Sequence, residues 1–143
     1  MMLVQETSLD WRTAQQLCAN ACEYAEQQGL KVCAQVVDRH GNPLAMLRCN
    51  HTALLSTDVA RDKAITAVSF GSGTHLWQSR IEDKPLLREG LAQRPNTVLF
   101  GGGLALYCED ELVGAIGVSG ASEAQDQACA SAAVDSVAAL QAR

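Results

Sequence analysis

Three histidines, a lysine on an apolar helix and a glycine-rich strand are the residues of this chain with chemistry to offer. The histidines stand apart, His40 in a turn, His51 after a strand and His75 behind Gly73-Thr74. None falls in H-E-x-x-H, H-x-E or another metal spacing, so a zinc-hydrolase signature is absent. A single histidine still suffices as a ligand to haem iron. His75 is the first candidate for that metal-binding role because it lies at a helix start beside an irregular stretch, the alternative being an ordinary exposed histidine.

The run Gly114-Ala115-Ile116-Gly117-Val118-Ser119-Gly120 invites a phosphate reading, since backbone N–H groups next to a helix start attract anions. Its spacing is G-x-x-G-x-x-G, with two glycines inside the strand, no βαβ unit and no Walker lysine. Strand glycines of this kind mark close backbone approach. An anionic group such as a propionate still fits where Ser119 and Gly120 meet the helix that follows. Lys63, at the margin of an apolar helical stripe, is placed to snorkel toward a ligand or an acidic partner. Arg48 and Lys63 are the cations able to meet an anionic substrate. No acid, base and nucleophile converge, and Ser119 sits in G-V-S-G, not G-x-S-x-G, so the reading leans away from an enzyme.

Cys18, Cys22, Cys33, Cys49, Cys108 and Cys129 include no C-x-x-C. Cys18 and Cys22 share a helix face at i, i+4, as either a two-cysteine metal clip or small buried hydrophobes. The start lacks a secretory pattern and no apolar run has the length of a membrane span. A cytoplasmic address with reduced thiols is the expectation. A net charge of −5 without a basic cluster argues against nucleic-acid binding.

The elements that must position these groups follow from period and punctuation. Thr7-Ser8-Leu9-Asp10 offers a helix start, the apolar spacing runs on through Ala25, and Gly29 stops a helix over about 9–28. Residues 32–37 and 44–48 read as a hairpin around Asp38-Arg39-His40-Gly41-Asn42-Pro43. A helix from Thr52 to about Phe70 carries Leu55, Val59, Ala60, Ala64, Ala67 and Val68. A short helix over 75–79 follows Gly71-Ser72-Gly73-Thr74. Residues 80–100, with Pro85 and Pro95, read as an irregular loop. Leu104–Cys108 and Leu112–Val118 make a second hairpin. Ser122-Glu123-Ala124-Gln125 is a capping box that opens a last helix to about Leu140. One domain over residues 1–143 follows, an α+β fold with an antiparallel sheet of four or five strands and the first and last helices on one face.

Four stretches together resemble the GlcG/HbpS family of haem-degrading domains, which includes the C-terminal domain of PduO-type cobalamin adenosyltransferases. They are Val36-Val37-Asp38 through Gly41-Asn42-Pro43-Leu44 and Arg48; Lys63-Ala64-Ile65-Thr66-Ala67 with Phe70; Gly101-Gly102-Gly103-Leu104 with Leu106; and Val113 through Ala121, with Asp126 following. The resemblance implies an α/β sandwich that assembles into homo-oligomers and, for some members, haem binding with iron handling or redox sensing. It implies a haem or tetrapyrrole ligand here, or alternatively a non-catalytic accessory protein of a glycolate, glycerol or propanediol utilisation operon. Some members bind haem through a histidine near the N-terminus, and no histidine precedes His40 in this chain. Proline is common in the family where Ala105 stands. The segment after Phe70 corresponds to one that ends in threonine near haem, which makes Thr74 a candidate beside His75. Adenosyltransferase activity belongs, by the same resemblance, to a different domain.

Overall fold

A computed structural model describes residues 1–143. Helix α1 (Trp11–Gln27) starts where the Asp10 carboxylate accepts the Arg12 N–H at 2.7 Å. Asp10 is itself the cap, so the helix begins later than Thr7-Ser8 suggests. Strands β1 (Cys33–Asp38) and β2 (Pro43–Arg48) form the first hairpin. Its turn is held by Asp38 Oδ1, which accepts the N–H groups of His40 at 2.8 Å and Asn42 at 3.0 Å. Helix α2 (Leu55–Phe70) ends on Gly71 in the left-handed region, φ +66°. It starts three residues after Thr52, whose hydroxyl instead donates to the Cys49 carbonyl at 2.8 Å.

A 3₁₀ turn (Thr74–Leu76) runs directly into α3 (Trp77–Ile81). The stretch expected to be an irregular loop contains α4 (Pro85–Ala92), opened by proline in its first turn. None of its residues is buried, so it lacks the core-facing stripe by which a helix is recognised. Strands β3 (Gly103–Cys108) and β4 (Glu111–Ser119) turn through Glu109 and Asp110, both at positive φ. The capping box at Ser122 is present, and it opens α5 (Glu123–Asp135). This helix is shorter than its apolar period suggests: Ser136 donates to the Ala133 carbonyl, and the chain turns back to lay β5 (Gln141–Ala142) on the open edge of β3. That edge strand needs backbone partners, and it outcompetes another helical turn.

The sheet runs β2-β1-β4-β3-β5, antiparallel at every neighbour. Helices α1 and α5 cover one face, where Leu17, Val36, Leu106, Ile116, Val118 and Val134 form the larger core. Helix α2 covers the other, on Val37 and Ala115. From Ala115 to Val118 successive residues of β4 thus alternate between small ones toward α2 and large side chains toward α1 and α5. The reason is spacing. A Cβ on Gly117 would fall 1.9 Å from the Ala60 carbonyl oxygen and 2.7 Å from the Ala64 nitrogen, so α2 rests its backbone on the strand. No helix is long and apolar enough to cross a membrane.

Gly117→Ala must push α2 off the sheet and is expected to lower unfolding free energy by about 3 kcal/mol in a urea titration. Gly90→Ala, on α4 with nothing near its added methyl, should stabilise by up to about 1 kcal/mol. Equal denaturation midpoints for Gly117→Ala and the unchanged protein would contradict the packing.

Candidate functional site

Two polar assemblies lie at the end of the sheet where β4 passes into α5. The first is sealed. Lys63 is fully buried on α2, and its ammonium donates to the Val118 carbonyl at 2.9 Å and to Asp126 Oδ2, on α5, at 3.0 Å. The side chain crosses bare backbone to get there. A Cβ on Gly102 would lie 2.6 Å from Nζ and 3.0 Å from Cδ of Lys63, and one on Gly103 would lie 2.5 Å from the Lys63 carbonyl oxygen. The expected position at the stripe's margin is therefore corrected: Lys63 faces inward in the middle of α2, with Ser56 buried and Leu55 exposed at the helix start.

Of the two readings of Lys63, ligand or acidic partner, the fold supplies the acidic partner. Burial pushes the Lys63 amine below its ordinary value and the Asp126 carboxyl above its own, and the opposite charge of each pulls back. The second oxygen of Asp126 accepts the Ala121 N–H at 2.9 Å. The anion drawn to the helix start beside Ser119 and Gly120 is thus the protein's own carboxylate. Ser119 is nearly buried at the end of β4, and Gly120 takes φ +137° against the Lys31 carbonyl. Glu123 and Gln127, also on α5, accept the N–H groups of Gly101 at 3.3 Å and Gly102 at 3.0 Å. Thr74 closes the assembly from the other side: fully buried, it accepts the Gly103 N–H at 2.9 Å.

The second assembly is open, a cleft of about 700 Å³ between α3, α4 and the start of α5. His75, Arg88, Ile81, Leu99 and Phe100 line it, with Glu82 and Glu123 at its walls. The His75 imidazole is exposed and folds over Gly73, where a Cβ would lie 2.5 Å from both Nδ1 and Cε1. That edge is covered by backbone, and Nε2 is the nitrogen left farther from it. Phe100 joins the two assemblies, for the Lys63 ammonium lies 5.1 Å from the centre of its ring.

Of the six residues singled out by sequence, the fold brings His75 to the cleft wall and Thr74 and Lys63 to the layer behind it. Arg48 lines neither cavity; it donates to the Thr52 carbonyl at 2.8 Å. The other histidines are elsewhere, His40 paired with Glu6 at 2.6 Å and His51 exposed. Sequence reasoning missed Arg88 and Phe100 because both fall in the stretch read as a loop. The signal present there was Pro85 followed by Leu86, Leu87 and Leu91 at helical spacing. A smaller cavity of about 210 Å³ lies between the N-terminal segment and the last turn, lined by Leu9, Cys108, Val113 and Leu140.

Lys63→Met leaves a buried carboxylate unpaired and is expected to cost about 3–5 kcal/mol of stability. Adding Asp126→Asn to it should cost less than the sum of the two single changes, by at least about 1 kcal/mol in a denaturation cycle. Strict additivity would show that the two groups do not act as a pair.

The model of the family described as haem degrading protein HbpS-like matches residues 9–135. The corrinoid adenosyltransferase PduO of Salmonella typhimurium is 33% identical over 132 residues, which cover 91% of this chain and 39% of that protein. This chain therefore corresponds to well under half of PduO. An uncharacterized 15.0 kDa protein from the dhaT-dhaS intergenic region of Citrobacter freundii is 36% identical over 101 residues, 70% of this chain and 71% of its own. Among solved structures, a double mutant of Streptomyces reticuli HbpS superposes with a TM-score of 0.86 at 34% identity, covering 94% of this chain and 90% of that one. The structure of a PduOC:heme complex gives a TM-score of 0.83 at 32% identity over 96% of this chain and 98% of that chain. By the match of that family's model over most of its length, the chain belongs to the HbpS-like, haem-degrading family.

Proposed function

We propose that this chain binds haem or a related tetrapyrrole in the cleft between α3, α4 and α5. The observation that carries the reading is the donor set of that one cleft: an exposed imidazole, a guanidinium and apolar walls in about 700 Å³. That volume suits a cofactor-sized ligand. His75 offers a nitrogen to iron, Arg88 a charged fork for a propionate, and Ile81, Leu99 and Phe100 a surface for the macrocycle. Bound haem supplies one-electron iron chemistry, and the protein supplies position and exclusion of water. The relative solved as a PduOC:heme complex supports the reading by its likeness in fold and sequence. Thr74 serves by fixing the Gly103 backbone behind His75, and Lys63 by holding Phe100 from beneath. Arg48, Ser119 and Gly120 take no part in this cleft.

A second reading, an oligomeric accessory protein of a glycerol, propanediol or glycolate operon, is favoured by the relative from the dhaT-dhaS region. Exposed Leu86, Leu87, Phe70 and Phe100 give such an assembly apolar surface to cover. The cytoplasm is the compartment that suits either reading, with its reduced thiols.

Titration of the apo-protein with hemin should give a Soret shift that saturates at micromolar concentration. His75→Ala should abolish the shift or weaken binding at least tenfold, and Arg88→Ala should weaken it by about tenfold or more, the loss of one charged hydrogen bond. A shift unchanged in both variants would sink the cleft as the binding site. Light scattering should return a multiple of the 15.2 kDa chain mass. A strict monomer at working concentration would remove the assembly.

A further inference from the structure

Four consecutive apolar residues, Met1, Met2, Leu3 and Val4, stand in solvent at 80% or more of full exposure each. An exposed apolar run of this length is a liability unless a partner covers it. Three residues further along the chain begins the cavity of about 210 Å³, with Thr7 and Ser8 at its rim and Leu9, Cys108, Val113 and Leu140 in its wall. The molecule thus carries an apolar arm that packs on nothing, close to an apolar cavity that no side chain of its own copy fills. The haem reading uses neither.

The arm is held away from the cavity of its own copy. Just after it, the chain is pinned to the tip of the β1–β2 hairpin: a Glu6 carboxylate oxygen lies 2.6 Å from His40 Nε2, and the Thr7 carbonyl accepts from the Arg39 guanidinium at 3.2 Å. The Ser8 hydroxyl accepts the Arg39 N–H at 3.3 Å, and the Leu9 N–H donates to the Val113 carbonyl at 3.0 Å. An arm that folded back would have to release Glu6 from this turn. We propose that Met1–Val4 of one copy occupies the cavity of a second copy, and that the exchange is reciprocal. Reciprocal exchange about a two-fold axis closes on itself, so it gives a dimer contact and not an open filament. A cavity of about 150 Å³ already holds a molecule the size of benzene, so this one takes a leucine or methionine side chain. Methionine in particular adapts to an irregular apolar gap. The proposal rests on the assembly reading, to which it gives one specific contact, and is independent of haem.

The test places a thiol on the arm, as Met2→Cys and Leu3→Cys in turn, and oxidises each variant mildly with diamide. Neighbouring side chains of an extended arm point in opposite directions. One of the two should therefore form a disulfide with Cys108 of the partner subunit, seen as a dimer on a non-reducing gel and mapped by peptide mass. The dimer band should vanish when Cys108→Ser is added. A disulfide to Cys108 within one chain, or none from either position, would overturn the proposal. Light scattering separates the two failures: a multimer that does not cross-link removes this contact and leaves the assembly reading standing, whereas a strict monomer removes both. The unchanged protein gives an independent readout, because Cys108 should react with iodoacetamide roughly tenfold more slowly in concentrated than in highly diluted protein. Deletion of residues 1–5 should abolish that dependence. A rate in the unchanged protein that does not vary with concentration would also overturn the proposal.

Discussion

A buried lysine must find its counter-charge inside the protein, and at this sheet end the neighbouring backbone is arranged so that it can. Lys63 leaves α2 on one face of the sheet and meets Asp126 of α5, a helix of the other face, at 3.0 Å. The route passes Gly102, where any side chain would collide with it, while one on Gly103 would collide with the Lys63 backbone. An isolated ammonium in such a place would be neutralised or would unfold the site. With the Val118 carbonyl and the Asp126 carboxylate both bonded to it, the pair ties three layers together at one point.

Several local choices follow from that crossing. The triglycine before β3 needs donors' partners once it is pulled open, and Thr74, Glu123 and Gln127 provide them. Gly117 and Ala115 are small because α2 must lie low enough for Lys63 to reach over the sheet end. On the opposite face Ile116 and Val118 are large and fill the core beneath α1 and α5. The asymmetry of the glycine-rich strand is thus packing geometry, and its resemblance to a nucleotide loop is a coincidence of composition.

Much of this was legible in the sequence, for reasons that differ by element. The two hairpins announce themselves through Asp38-Arg39-His40-Gly41-Asn42 and through the acidic tip at Glu109-Asp110, and the capping box at Ser122 marks α5 without ambiguity. Where reading by period failed, a tertiary partner decided. The run Val137-Ala138-Ala139-Leu140 keeps a helical rhythm, yet the open edge of β3 draws the chain into β5. Helix α4 buries nothing, and its short run of Leu86, Leu87 and Leu91 is outweighed by the prolines and charges around it. Lys63 looked peripheral because a lysine is ordinarily counted with solvent. Only its partner, 63 residues later, reverses that, and a single sequence does not show the pairing.

The same separation explains why family and function are read with unequal force. Of the residues that carry the resemblance, Lys63, the triglycine, Gly117 and Asp126 belong to the sealed lock or to the helix seated on it. The cleft is built differently. His75 and Arg88 lie on the segment between Gly71 and Phe100, which the lock supports from behind through Thr74 and Phe100 without dictating which side chains face the cleft. An exposed side chain on α3 or α4 carries little of the stability, so a change there leaves the lock in place. The chemistry that the cleft can offer therefore rests on His75 and Arg88, and not on the buried pair.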